Sequence, residues 1–374
     1  MRDNVSRRSY YCGKIGRRIE MAEKVLMKGN EALAEAAIQC GCRHYFGYPI
    51  TPQTEVAAYM SKRLPKEGGC FLQAESEVAA INMVLGATSA GVRAMTSSSS
   101  PGISLKSEGV SCIGGSDLPA LIINVQRGGP GLGGIRPSQS DYWQATKALG
   151  HGDFQLFVLA PSTIQEMVDF VPLAYEVGEK YRVPAMILSD GMLGQMMEPV
   201  EFPEKKETAV ADKSWATNGH QNKRKKNIVN SLYIQPEELE NLIKERYERY
   251  AKIKEEEQRA EEFMCEDAEI IIVAFGASSR VSRSAVMQAR AEGIKAGLIR
   301  PITLWPLPDK TIEKHVDHTK QFLCVEMNMG QMIDDVKLVV SGRKPVSFFG
   351  RTGGVIPTPA EVLAEIRAIA GKEN

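Results

Sequence analysis

No apolar run in this chain approaches the roughly 18 residues that a helix needs to cross a bilayer, and there is no net charge, because 46 Lys and Arg balance 46 Asp and Glu. The first absence argues against a membrane-spanning helix. The second removes any global pull toward nucleic acid or an anionic surface. Cysteine occurs at 12, 40, 42, 70, 112, 265 and 324, with no CxxC and no Cys/His set at zinc or iron–sulfur spacing. Reduced, mostly buried thiols in a cytoplasmic protein are therefore expected, and any redox chemistry must use clusters that this chain does not bring. Histidine is scarce, and only His44 and His151 fall near the loops discussed below, so no Ser-His-Asp or Cys-His set is credible. Glycine loops abound, but none has GxGxxG spacing or a Walker lysine. That counts against a nicotinamide-dependent dehydrogenase and a P-loop nucleotide site.

What is present is an α/β rhythm. The Arg-rich opening, residues 1–21, lacks an apolar h-region and reads as a disordered extension ahead of Met21. From there, amphipathic helices such as GNEALAEAAIQCG alternate with short apolar strands such as HYFGYPI and PALIINVQR. Residues 203–266 interrupt the rhythm with a polar stretch and a long charged helix, PEELENLIKERYERYAKIKEEEQRAEEF. The basic run Lys223–Lys226 within them reads as a solvated linker. The alternation resumes to the C-terminus, with IKAGLIRPITLWPLP expected as one strand running into a turn. The fold expected is α/β, with two doubly wound parallel-sheet domains at 22–202 and 267–374 joined by the segment 203–266.

In open α/β sheets, ligand-binding residues gather at the carboxyl ends of strands. Four loops fall there in the first domain. In GYPITPQTE, two prolines stiffen a turn around Thr51; its hydroxyl either meets a ligand or, like that of Thr54, caps the next helix. In QAESEVAAINMVLGA, Glu75 and Glu77 lie at a strand-to-helix junction. An acid there either complements the helix dipole or is a partly buried carboxylate with a tuned pKa. The two do not face each other, which argues against a shared-proton dyad. TSSSSPGISLKSEG places Ser100, Pro101 and Gly102 at a helix start, where they either hold an anion or cofactor or simply cap. In NVQRGGPGLGGIRPSQSD, Arg127 leaves an apolar strand into glycines, a position suited to paired hydrogen bonds with a carboxylate.

Together, GYPITPQTE, ESEVAAINMVLGA, SSSSPGISLKSEG and VQRGGPGLG, with LIRPITLWPLP, CVEMNMGQM and GRTGGVIPTPAEVL further on, resemble the α subunit of 2-oxoacid:ferredoxin oxidoreductases. The resemblance spans residues 22–374, except much of 205–235, and is nearest to the 2-ketoisovalerate enzyme, followed by the 2-oxoglutarate enzyme. It implies a pyrimidine-binding domain of a thiamine diphosphate enzyme followed by a domain like the C-terminal domain of transketolases. It also implies that the diphosphate and Mg²⁺ sit on a β subunit and the [4Fe-4S] clusters on partner subunits, with γ and ferredoxin-like δ subunits, ferredoxin, a 2-oxoacid and coenzyme A as partners. HGDF at 151–154 is the nearest approach to a diphosphate motif, and no asparagine pair follows it at the right distance. By this resemblance Glu77 contacts N1′ of the cofactor's aminopyrimidine, with Glu75 as the alternative. Ser100, Pro101 and Gly102 border the cofactor, while Arg127 and Thr51 hold the substrate carboxylate. A dicarboxylic substrate would need a second cation, for which Arg136 and Lys106 are candidates. The competing readings are a stand-alone thiamine enzyme and a non-catalytic scaffold subunit.

Overall fold

The computed structural model describes residues 24–203 and 212–372; the extension expected at 1–21 lies outside them. Two sheets organise the chain. The larger has seven strands in the order Thr303–Trp305, Phe157–Leu159, Ala185–Asp190, Leu121–Gln126, Ala94–Ser98, His44–Gly47, Cys70–Gln73. All neighbours are parallel except the first pair. The smaller has five, in the order Val346–Gly350, Gln321–Glu326, Ile270–Val273, Ala296–Pro301, Ala260–Phe263, and only the last pair is antiparallel. Central strands with helices on their flanks must be apolar throughout. Accordingly, every residue of Leu121–Gln126 and Ala185–Asp190 is buried, and each large aliphatic side chain so buried contributes about 1.5–3 kcal/mol. The helices Gly29–Gln39 and Ile164–Tyr181 pack together, as do Glu77–Ser89 and Ser100–Gly115. No helix among the described residues is long and apolar enough to cross a membrane.

The structure departs from the sequence pattern at two places. The charged helix expected to reach Phe263 ends at Glu256, and Ala260–Phe263 forms an edge strand. Tertiary pairing overrides helix propensity there: Glu261 receives Arg300 Nε at 2.8 Å and Arg283 Nη2 at 2.5 Å. The stretch IKAGLIRPITLWPLP is not one strand but two. Ala296–Pro301 belongs to the smaller sheet, while Thr303–Trp305 crosses to the larger one and pairs with Phe157–Leu159. Pro301 cannot donate to a ladder, and Ile302 turns the chain, its carbonyl accepting from Ala160 N at 2.8 Å.

That crossing stitches the two halves together, and polar docking completes the seam. Gln139 Nε2 donates to Phe275 O at 2.7 Å, its Oε1 accepts from Met327 N at 3.1 Å, and Asn328 Nδ2 donates to Gln139 O at 2.8 Å. The helix Pro236–Glu256 is latched from outside by Arg246, 4% exposed, whose Nε donates to Asp117 at 2.9 Å. Within the basic run, Arg224 orders its own loop through Asn218 and the Ala216 carbonyl.

Candidate active site

The carboxyl ends of the central strands point toward the seam, and the four expected loops meet there. Glu77 opens the helix Glu77–Ser89. Ser76 caps it, its Oγ accepting from Ala79 N at 3.1 Å. Glu75, two residues earlier, is exposed, whereas Glu77 is 6% exposed. No group among the described residues hydrogen-bonds the Glu77 carboxylate.

The neighbouring helix Ser100–Gly115 comes against Glu77 through Gly102. A Cβ there would lie 2.8 Å from Glu77 Oε1 and 2.1 Å from Ser98 Oγ, so only glycine leaves the carboxylate accessible. The serines of this loop do not cap: Ser99 precedes the helix without a side-chain bond, and the buried hydroxyls of Ser98 and Ser99 have no partner among the described residues. Ser100 is instead tied down. Its Oγ donates to Asp141 Oδ2 at 2.6 Å and accepts from Arg127 N at 3.0 Å, and its own N–H donates to Asn124 Oδ1 at 3.2 Å. Asn124 Nδ2 also donates to Asp141 Oδ2, at 2.9 Å. Burial holds the Asp141 carboxyl above the ordinary aspartate range, with these two donors pulling the other way.

Arg127, 9% exposed, joins two loops. Nη1 donates to Thr51 O at 3.0 Å and Nη2 to Leu132 O at 3.1 Å, while Nε is buried without a partner. Two of its five donors are thus committed. Thr51 itself is exposed, and neither it nor Thr54 caps the next helix, whose N-cap is Gln53. The turn is anchored from below, where Ser97 Oγ donates to Gln53 Oε1 at 2.5 Å and Asn30 Nδ2 to Pro52 O at 2.8 Å.

Between these loops and the second half of the chain opens a cleft of about 700 Å³, bordered by Ser100, Pro101, Leu105, Leu132, Met329 and Thr352. None of the residues bordering it is a lysine or arginine. Arg136 is exposed on the glycine loop, and Lys106 is fully buried behind Gly102. Burial pushes the Lys106 amine down to about 8, and the Glu77 charge opposes that shift. The structure therefore brings Thr51, Arg127 and Ser100 into direct contact and seats Gly102 on Glu77; of the expected residues Ser100 and Pro101 border the cleft, whereas Thr51, Glu75, Glu77, Gly102, Lys106, Arg127 and Arg136 do not.

Sequence reasoning missed Asn124, Asp141, Gln139, Glu326 and Asn328. Asn124 did leave a signal, as the lone polar side chain before Gln126 in an otherwise apolar strand. Glu326 and Asn328 sit inside the CVEMNMGQM motif, where the pattern gave no role.

A buried carboxylate with free oxygens, two unpartnered serine hydroxyls and a cradle that a single Cβ would fill fit the aminopyrimidine end of thiamine diphosphate. Comparison with known proteins points the same way. The family described as pyruvate flavodoxin/ferredoxin oxidoreductase, thiamine diP-bdg, matches residues 35–266, and pyruvate:ferredoxin oxidoreductase core domain II matches 268–362. The chain is 49% identical to the ketoisovalerate oxidoreductase subunit VorB of Methanothermobacter thermautotrophicus, over 93% of this chain and 99% of that one. It is 35% identical to the 2-oxoglutarate synthase subunit KorA of Methanothermobacter marburgensis, over 92% and 99% respectively. Among solved structures, the 2-oxoglutarate:ferredoxin oxidoreductase from Magnetococcus marinus, with 2-oxoglutarate, coenzyme A and succinyl-CoA bound, superposes with a TM-score of 0.82 at 27% identity, over 95% of this chain and 67% of that one. A split-gene transketolase shares the fold at a TM-score of 0.56 and 14% identity, over 95% of this chain and all of that one. The chain belongs to the 2-oxoacid:ferredoxin oxidoreductases, of which it is a subunit.

Proposed function

We propose that this subunit works on a branched-chain 2-oxoacid of the 2-ketoisovalerate type, with coenzyme A as acyl acceptor and ferredoxin as electron acceptor. The observation that carries this is the cleft beside Ser100. It offers Pro101, Leu105, Leu132 and Met329 to an acyl chain; Arg127 reaches its rim through Ser100 and the Leu132 carbonyl, and no lysine or arginine among its bordering residues is there for a second carboxylate. A dicarboxylate there would leave a charge unpaired, which is far more costly than burying an isopropyl group. The 49% identity to a ketoisovalerate oxidoreductase subunit supports the same choice.

Within this scheme the chain supplies half a site. A β subunit holds the diphosphate and Mg²⁺, and γ and ferredoxin-like δ subunits with [4Fe-4S] clusters carry electrons away. Thiamine diphosphate, when bound, supplies the electron sink for decarboxylation. Glu77 is the group for N1′ of its aminopyrimidine: the carboxylate is buried, and both oxygens are free to accept. Gly102, with Ser100 and Pro101, keeps the approach to it open. Arg127 takes the substrate carboxylate with donors not committed to Thr51 and Leu132, and the Thr51 hydroxyl, on the turn that Arg127 holds, adds a further bond.

The test is viologen reduction by the complex co-expressed anaerobically with its genomic neighbours, given thiamine diphosphate, coenzyme A and a panel of 2-oxoacids. A kcat/KM for 2-ketoisovalerate about tenfold or more above that for 2-oxoglutarate and pyruvate is expected. Preference for 2-oxoglutarate would overturn the substrate assignment, and no reduction from an assembled complex would leave a scaffold subunit.

A further inference from the structure

Lys106 is the one buried lysine among the described residues, with no exposed surface, and its Nζ has no hydrogen-bond partner. Its place is fixed by two glycines on the same helical stripe. Gly102, Lys106 and Gly109 follow each other at spacings of four and three residues, which share one helix face. At one end of the stripe a Cβ on Gly102 would meet Glu77 Oε1; at the other, a Cβ on Gly109 would lie 2.4 Å from Ile81 Cγ2. Glu77 and Ile81 are themselves four apart on the neighbouring helix. Lys106 is thus held between two contact points on the helix that begins with Glu77.

The packed elements offer it no other buried charge; the segment 144–154, which touches the same helix through Gln144, Gly150 and His151, carries Lys147, His151 and Asp153, all exposed. The helix Glu77–Ser89 carries none besides Glu77, and the strands Ala94–Ser98 and Leu121–Gln126 carry none at all. On its own helix Glu108 is exposed, and Asp141 is turned onto Ser100 and Asn124. The two groups also stop short of an ion pair, since Lys106 Nζ makes no contact with an acceptor.

We propose that Lys106 is a positioning residue for the cofactor's aminopyrimidine: its buried cation sets the field around the Glu77 carboxylate without occupying either oxygen. A contact ion pair would fill the lone pairs that N1′ needs. A cation set further back in a low-dielectric interior acts by its field alone. This rests on the assignment of Glu77 to N1′. Burial has already brought the Lys106 amine down to about 8, so when the Glu77 charge is partly neutralised by a proton shared with N1′, Lys106 loses the one interaction that holds its own proton.

The test counts protons rather than turnover. Isothermal titration calorimetry of the assembled complex, in buffers of different ionisation enthalpy, gives the protons exchanged when thiamine diphosphate with Mg²⁺ binds. Magnesium pyrophosphate, which lacks the pyrimidine, provides the baseline. Wild type should take up about one proton per site above that baseline at pH 7, with a dip near pH 8 where Lys106 releases its own. Lys106→Met removes a buried charge without leaving a cavity, so folding should survive. In that variant uptake should fall below half, and the affinity for the cofactor should fall with it. Lys106→Arg should restore the uptake at pH 7 but lack the dip, which separates a role for charge from one for shape. An uptake and affinity profile in Lys106→Met matching wild type would overturn the proposal. Glu77→Gln should abolish both uptake and dip, and full uptake in that variant would instead overturn the assignment of Glu77 itself.

Discussion

Glu77 and Glu326 are the same residue type at comparable places, each beyond or at the end of a strand and beside a helix start, yet their surroundings are opposite. Glu326, fully buried, accepts from Asn328 Nδ2 at 2.9 Å, Met332 N at 2.8 Å, Ile333 N at 3.1 Å and Gln331 N at 3.3 Å. Burial still holds its carboxyl above the ordinary glutamate range, with these donors pulling it back. Glu77 is nearly as buried and accepts from nothing among the described residues. A buried carboxylate without protein donors keeps its acceptor capacity for a ligand, which is the role proposed for it. The arginines divide in the same way. Arg300, 5% exposed, gives Nε, Nη1 and Nη2 to Glu261 and Glu166 at 2.6–3.0 Å, whereas the Arg127 guanidinium meets, among the described residues, only two backbone carbonyls and keeps donors in reserve. The proposed site rests on this contrast between Glu77 and Arg127 on one side and Glu326 and Arg300 on the other.

The most direct way to break that division is Glu77→Gln. Turnover with every 2-oxoacid should fall by about 10²–10⁴-fold, while assembly, read by size-exclusion chromatography, and the urea unfolding midpoint stay close to wild type. Retained turnover would move the role to Glu75, the exposed acid. Arg127→Ala should come next, raising the substrate KM by roughly 10–100-fold, the loss of one charge-assisted carboxylate contact. Arg300→Ala should do the reverse, lowering stability and leaving KM alone. An unchanged KM in Arg127→Ala would remove it from the substrate site.

Much of this was legible in the sequence because the site lies where strands end and helices begin. The hydrophobic periodicity located the strands, the carboxyl-end rule located the loops, and QAESEVAAINM already placed a carboxylate at a helix start. Which of two acids turns inward was not legible. Glu75 and Glu77 differ only by the half-turn that Ser76 imposes as cap. The seam was not legible either. Gln139, Asn328 and Glu326 are polar residues in loops or at strand ends, without periodicity, and their partners lie some 190 residues away or across a turn. The crossing of Thr303–Trp305 into the other sheet was hidden because Ile302 looks like the continuation of an apolar strand. Lys106, a candidate cation for a second carboxylate on sequence grounds, shows its burial only through the packing of Gly102 and Gly109 that encloses it.

Glu326→Ala sharpens the comparison from the structural side. It strips the partners from three backbone N–H groups and from Asn328, which docks on Gln139 across the seam. The expected cost is about 2–4 kcal/mol in urea unfolding of the complex, with the cofactor's proton uptake unchanged in the folded fraction. A change in uptake without a change in stability would show that Glu326, too, serves the site.

Asp190 tests the intermediate case, a buried acid with donors too few to offset its burial. It caps the short helix Gly191–Gln195, accepting from Met192 N at 2.8 Å and Leu193 N at 3.2 Å, and is 2% exposed. Burial raises its carboxyl to about 6, against those bonds and a more distant Arg280. The unfolded value is near 4, so between these values the native state binds more protons than the unfolded one. Stability from this group is complete below about pH 4 and is lost as pH rises through about 6. Asn keeps a cap acceptor and does not titrate. Asp190→Asn should therefore flatten the stability profile between pH 4 and 6 and raise the unfolding free energy at pH 7 by about 1–2 kcal/mol, less than the full linkage because the new amide N–H₂ needs a partner in the same buried place. Urea midpoints at pH 4.5, 6 and 7.5 decide it. A slope equal to wild type would mean that Asp190 is ionised throughout and belongs with the satisfied acids after all.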